Sequence, residues 1–128
     1  MFIRFVVHEI DEASGVELGI FQAMYGLWRA GTLAPHEEAW WEDVRCWFNT
    51  SLVKPTRFAR SRRAGANAAA VCWFKATARR HIARAREITA LLAQHDIASR
   101  MLWCQRPGYI VYEDEFQVSA EPFRGHLQ

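Results

Sequence analysis

Between Lys54 and Arg86 the chain carries Lys54, Arg57, Arg60, Arg62, Arg63, Lys75, Arg79, Arg80, Arg84 and Arg86, with no Asp or Glu among them. Guanidinium groups at this density suit phosphates or clustered carboxylates, and Phe58, Trp73 and Phe74 lie close enough in sequence to stack on bases. The first forty-odd residues lean the other way, through Glu9, Asp11, Glu12, Glu17, Glu37, Glu38, Glu42 and Asp43. The plainer account of the arginines is therefore an internal counterweight to that acidic half. The contact set expected for an anionic partner is Arg57, Arg60, Arg62, Arg63, Lys75, Arg79, Arg86 and Trp73. Neither a helix-turn-helix nor an RNA-recognition or zinc-finger signature accompanies it.

A second constellation is Lys75 with Tyr112, Glu113 and Asp114, the candidate residues if the chain is a small enzyme. A carboxylate near an amine and a phenol can move protons, and adjacent carboxylates can hold a hard cation. Consecutive residues of a strand point to opposite faces, which argues against a shared metal, and none is expected. The plainer account is a solvated hairpin turn that discourages edge association. His8, Glu9, Asp11 and Glu12 read best as a polar strand exit. His81 lies on an apolar helical face and is expected to be a satisfied core histidine. Cys46, Cys72 and Cys104 form no CxxC pair and have no zinc spacing, a pattern that fits reduced thiols. P-loop, GxGxxG, GxSxG and HExxH motifs are all missing, so no cofactor is expected.

These side chains need a scaffold, and 128 residues, 51% of them hydrophobic, suffice for one domain with its own core. The net charge is only +2 because the basic and acidic stretches nearly cancel. No apolar run reaches the roughly 18 residues of a membrane span, and a cytoplasmic location is expected. Six tryptophans exceed the needs of a core this size, which raises a homodimer as a third possibility.

Alternation over Phe2–His8 predicts a strand, with Ile3, Phe5 and Val7 on one side. Ser14-Gly15-Val16-Glu17 matches a capping box and predicts a helix over about 16–30, with Gly31 as its C′ residue. Pro35 and the acidic pair Glu37–Glu38 suit the first turn of a second helix. Residues 52–66 read as a long, mobile basic loop, and about 68–95 as a third helix. Strands are expected over 97–104, 109–112 and 116–120, the last two joined through Glu113, Asp114 and Glu115. The predicted order is β-α-α-α-β-β-β. It gives an α+β, two-layer fold with a mostly antiparallel four-stranded sheet and helices on one face.

The chain also resembles a family of small bacterial proteins of uncharacterised function. The likeness rests on Arg4-Phe5-Val6-Val7, Ile10-Asp11-Glu12, Ser14, Gly19 to Ala23, Trp47-Phe48-Asn49, Cys72-Trp73-Phe74-Lys75 and Tyr112 to Val118. The resemblance implies a bacterial cytoplasmic protein and no particular reaction. From the residues themselves, the leading expectation is a binding or regulatory module whose basic loop and third helix engage nucleic acid or an acidic protein.

Overall fold

The computed structural model describes residues 1–55 and 70–123. Six strands and three helices are seen among them: β1 (Phe2–Ile10), β2 (Glu17–Gly19), α1 (Ile20–Arg29), α2 (Pro35–Ser51), β3 (Val71–Lys75), α3 (Arg79–Gln94), β4 (Ser99–Cys104), β5 (Tyr109–Glu113) and β6 (Gln117–Glu121). The class is α+β, as expected. Among the described residues the sheet has six strands rather than four, and the order is β-β-α-α-β-α-β-β-β.

Two short strands account for the difference. Val71–Lys75 was expected inside the third helix, because the flanking alanines favour helix. It is instead a strand bonded on both sides, to β1 through Phe2↔Lys75 and Ile3↔Phe74, and to β6 through Val71↔Ala120 to Phe74↔Gln117. The β-branched and aromatic side chains of Val71, Trp73 and Phe74 fit that two-sided position. Glu17–Gly19 was expected as the first turn of α1. The Ser14 hydroxyl does not cap that helix; it donates to Asp11 Oδ2 at 2.8 Å and shapes the loop after β1. The helix starts at Ile20, where the Gln22 side chain reaches back to accept the Gly19 N–H at 3.2 Å. Only the back-reaching half of the capping box that the sequence suggested exists, five residues further on, because glycine has no side chain to cap with.

Every strand pairing among the described residues is antiparallel. β1 is the hub. One edge pairs with β4 from Phe2↔Cys104 to Val7↔Ser99. β3 bonds β1 at Phe2 and Ile3, while β2 bonds it at Val6 and Ile10. A strand has only two edges, so β2 and β3 share the second one, and the sheet forks near Arg4 and Phe5. The Arg4 guanidinium lies at this fork and donates to the Glu17 carbonyl at 2.6 Å. Burial there pulls its pKa down to about 10, and the Cys72, Glu17 and Asp11 side chains offset part of that loss.

Ile3, Phe5, Val7 and Phe74 point to the face covered by the helices. They share one core with Ile20 and Met24 of α1, Trp41, Val44 and Phe48 of α2, and Ala85, Ile88, Leu91 and Leu92 of α3. The three described helices thus all pack on one face of the sheet. Each fully buried Ile or Leu here contributes on the order of 1.5–3 kcal/mol. Val6, Val118 and Ala120, all at 0% exposure, have the opposite register parity and lie outside that core.

Gly15, Gly31 and Gly108 all have positive φ, and two of them shape the ends of elements. Gly31 ends α1 at φ +73°, the left-handed C′ position expected for it. Gly108, between β4 and β5, has φ +146°, and a Cβ there would stand 2.0 Å from the Glu121 carbonyl oxygen. No helix among the described residues is long and apolar enough to cross a membrane.

Candidate functional site

The four catalytic candidates separate into two pairs on opposite faces of the sheet. Tyr112 is in register with Ser119, which pairs with Cys72, on the helix side. Glu113 is in register with Val118 and Trp73, on the other side, where Lys75 also points. Lys75 Nζ and Glu113 Oε2 form an ion pair at 2.7 Å, half-exposed, reaching across β6. This spends the amine on a salt bridge.

Asp114 is equally committed. Its carboxylate accepts the Tyr112 hydroxyl at 2.7 Å, the Phe116 N–H at 2.9 Å, the Gln117 N–H at 3.1 Å and the Gln117 side-chain amide at 3.0 Å. The Gln117 amide also donates to the Val53 carbonyl and ties the turn to the end of α2. Partial burial pushes the Asp114 carboxyl up. The hydrogen bonds from Gln117, Tyr112 and the backbone outweigh it and hold the carboxyl below the usual range. The same bond, with some desolvation, raises Tyr112 to about 12. A carboxylate with all its acceptor sites engaged and a phenol so hard to ionise make a clasp, not an acid–base pair. Among the described residues no group of three or more His, Cys, Asp or Glu is placed to hold a metal.

An open cleft of about 370 Å³ lies beside the clasp, lined by residues 49–53 of the α2 end and by Asp114, Glu115 and Phe116. His81 fills the wall behind it. It is buried, donates from Nε2 to the Ser51 carbonyl at 2.8 Å, and stacks within 4.4 Å of Phe116 and 4.9 Å of Trp47. It is the satisfied core histidine that its place on the helix suggested.

Of the expected anion-binding set, Arg57, Arg60, Arg62 and Arg63 lie outside the described residues. The remaining four do not share one surface. Trp73 and Lys75 are on the sheet face away from the helices, whereas Arg79 and Arg86 are exposed on α3. Within α3 the arginines divide again. Arg80 and Arg84 flank Trp47 of α2, with guanidinium carbons 6.0 and 5.4 Å from its ring centroids. Arg86 leans the opposite way, towards Met101 Sδ of β4 at 3.9 Å. Sequence reasoning placed Trp47 only in the apolar stripe of α2. The clue to its second role was a ring at the rim of that stripe, available to a neighbouring arginine.

The acidic half of the chain does not consume these arginines. Glu17 pairs with Arg100, Glu37 with His95 and Glu42 with Arg45. The carboxylate partner of Arg84 is Glu87 on its own helix, at 3.4 Å. No described carboxylate forms an ion pair with Arg79, Arg80 or Arg86. Arg79, Arg80 and Arg86 are thus not held by close ion pairs with described acidic residues.

No family model matches the chain, and searches of curated proteins and of solved structures likewise give no match.

Proposed function

We propose that the chain is a binding module that engages an anionic partner, nucleic acid or an acidic protein, through the basic side of α3, in the cytoplasm. The observation that carries this reading is that Arg79 and Arg80 form no ion pair with a described carboxylate and Arg84 pairs only with Glu87 of its own helix, while acidic residues of the N-terminal half pair elsewhere. Arg79 and Arg80 open the helix, Arg84 follows one turn later, and Trp47 supplies a flat ring between the last two. Cations beside an aromatic face suit a phosphate with its base, or a carboxylate-rich segment. The enzymatic alternative draws less support, because Lys75 and Glu113 neutralise each other and Asp114 is fully engaged.

Fluorescence anisotropy with short single- and double-stranded DNA and RNA, and with an acidic peptide, across a salt series tests the reading. Binding is expected to weaken steeply with salt. Changing Arg79, Arg80 and Arg84 together to Ala should flatten the log–log slope by about 0.7–0.9 for each phosphate no longer neutralised. No binding at low salt, or an unchanged slope in the triple variant, overturns it.

A further inference from the structure

β4 is bonded to β1 along one side, and its other side pairs with no described strand. Its sequence, Ser-Arg-Met-Leu-Trp-Cys, lacks the usual guards of a free edge. It has no Pro or Lys and no irregularity in its register with β1, and its single charge, Arg100, is already paired with Glu17. Another outer strand, β5, is guarded: its register shifts between Ile110 and Tyr112, and it ends in Glu113. Trp103 of β4 is 58% exposed and has no aromatic or cationic neighbour among the described residues of its own chain.

We infer that β4 is a homodimerisation edge, and that two copies pair antiparallel through it with Leu102 at the two-fold axis. Symmetry restricts the register. Residues directly opposite one another in an antiparallel pair point to the same face, so a two-fold pairing must place a residue opposite its own copy. With Leu102 on the axis, Met101 stands opposite Trp103 of the second copy, and Arg100 opposite Cys104. Met101 and Trp103 both point to the helix side, since they are in register with the core residues Phe5 and Ile3. Arg86 already overhangs Met101. The second copy's tryptophan would enter beneath that guanidinium, and the exchange is reciprocal, giving two cation–π contacts and two sulfur–aromatic contacts. A cation poised over an edge and a bare ring two residues along that edge are complementary only between copies. Ala90 and Ala93 of α3, both exposed, leave room on the same side of the helix. This interface is separate from the Trp47 flank and does not depend on anion binding.

Sedimentation equilibrium of the full chain over a dilution series is expected to show a reversible species of twice 14.8 kDa. Trp103→Glu should be monomeric with an unchanged circular-dichroism spectrum. Arg86→Ala should weaken dimerisation roughly ten- to thirty-fold, because it removes both cation–π pairs at once. Leu102→Cys, with Cys46, Cys72 and Cys104 changed to Ser, should give a covalent dimer with a short bis-maleimide linker, whereas Ser99→Cys should not. A chain that stays monomeric at every concentration overturns the proposal. So does a dimer that survives Trp103→Glu and resists the Leu102 cross-link.

Discussion

At the residue scale the most informative side chain is Asp114, because four donors converge on one half-buried carboxylate. Its carboxyl is held low when folded, so it adds stability that is full above the ordinary carboxylate range and disappears as pH falls through the lowered value. Tyr112 works at the other end of the scale. Its folded value of about 12 exceeds that of a free phenol, so its contribution is complete below about pH 10 and is lost as pH climbs through 12. Asp114→Ala should cost about 1–2 kcal/mol by denaturant unfolding, since it strands donors in a half-exposed turn. Spectrophotometric titration at the phenolate band should show a late-ionising tyrosine that vanishes in Tyr112→Phe. A normal tyrosine titration would show that the clasp is open in solution. The sequence marked 113–115 as a turn, but it could not show that Asp114 looks inward at its own hairpin. Nothing in residue type distinguishes a carboxylate aimed at solvent from one aimed at backbone amides three residues on.

At the scale of elements, α3 breaks a local rule. Helix N-termini carry partial positive charge, yet its first turn holds Arg79 and Arg80 with no acidic residue, and Ala78 provides no side-chain cap. α2 does the opposite, with Pro35 at its start, Glu37 and Glu38 in the first turn, and the Glu37 carboxylate accepting the Ala34 N–H at 2.9 Å. That backbone bond, with help from His95, holds the Glu37 carboxyl below its ordinary value. Replacing Arg79 and Arg80 with Glu should therefore stabilise the protein by about 0.3–1 kcal/mol per site while weakening anion binding. Thermal unfolding and anisotropy on the same variant separate the two effects, and a loss of stability would show that the arginines serve the fold. α2 was legible because its caps, acidic first turn and stripe agree. β3 was not, because Ala68 to Ala70, Ala76 and Ala78 bracket a five-residue strand with helix formers, and its alternation is too brief to outweigh them. β2 was hidden by Ser14 and Glu17, whose spacing matches a cap that the chain builds instead from Gly19 and Gln22.

For the whole molecule, the hub position of β1 sets where rigidity lies. Ile3 to Val7 are buried, bonded to β4 along one edge, flanked by β3 and β2 at the two ends of the other, and covered on one face by the helices. β5 has a strand neighbour on one edge only among the described residues, and a register shift. Native-state hydrogen exchange should be slowest at the β1 amides and clearly faster at β5. Equal protection of the two would contradict the hub. The α+β class and the placing of the three described helices on one face were readable from periodicity, since Ile3, Phe5 and Val7 alternate cleanly and the helical stripes are amphipathic. The fork was not readable, because it depends on two short strands that share one edge of a third.

That fork also fixes an order of events during synthesis. β1 precedes every other described element, yet its long pairing partner is β4, roughly a hundred residues later. Until β4 emerges, the most apolar stretch of the early chain has one side open along its full length. The β4 side of the hub closes late although β1 is made first, so the nascent chain depends on α1 and α2 to shelter Ile3, Phe5 and Val7 in the interval.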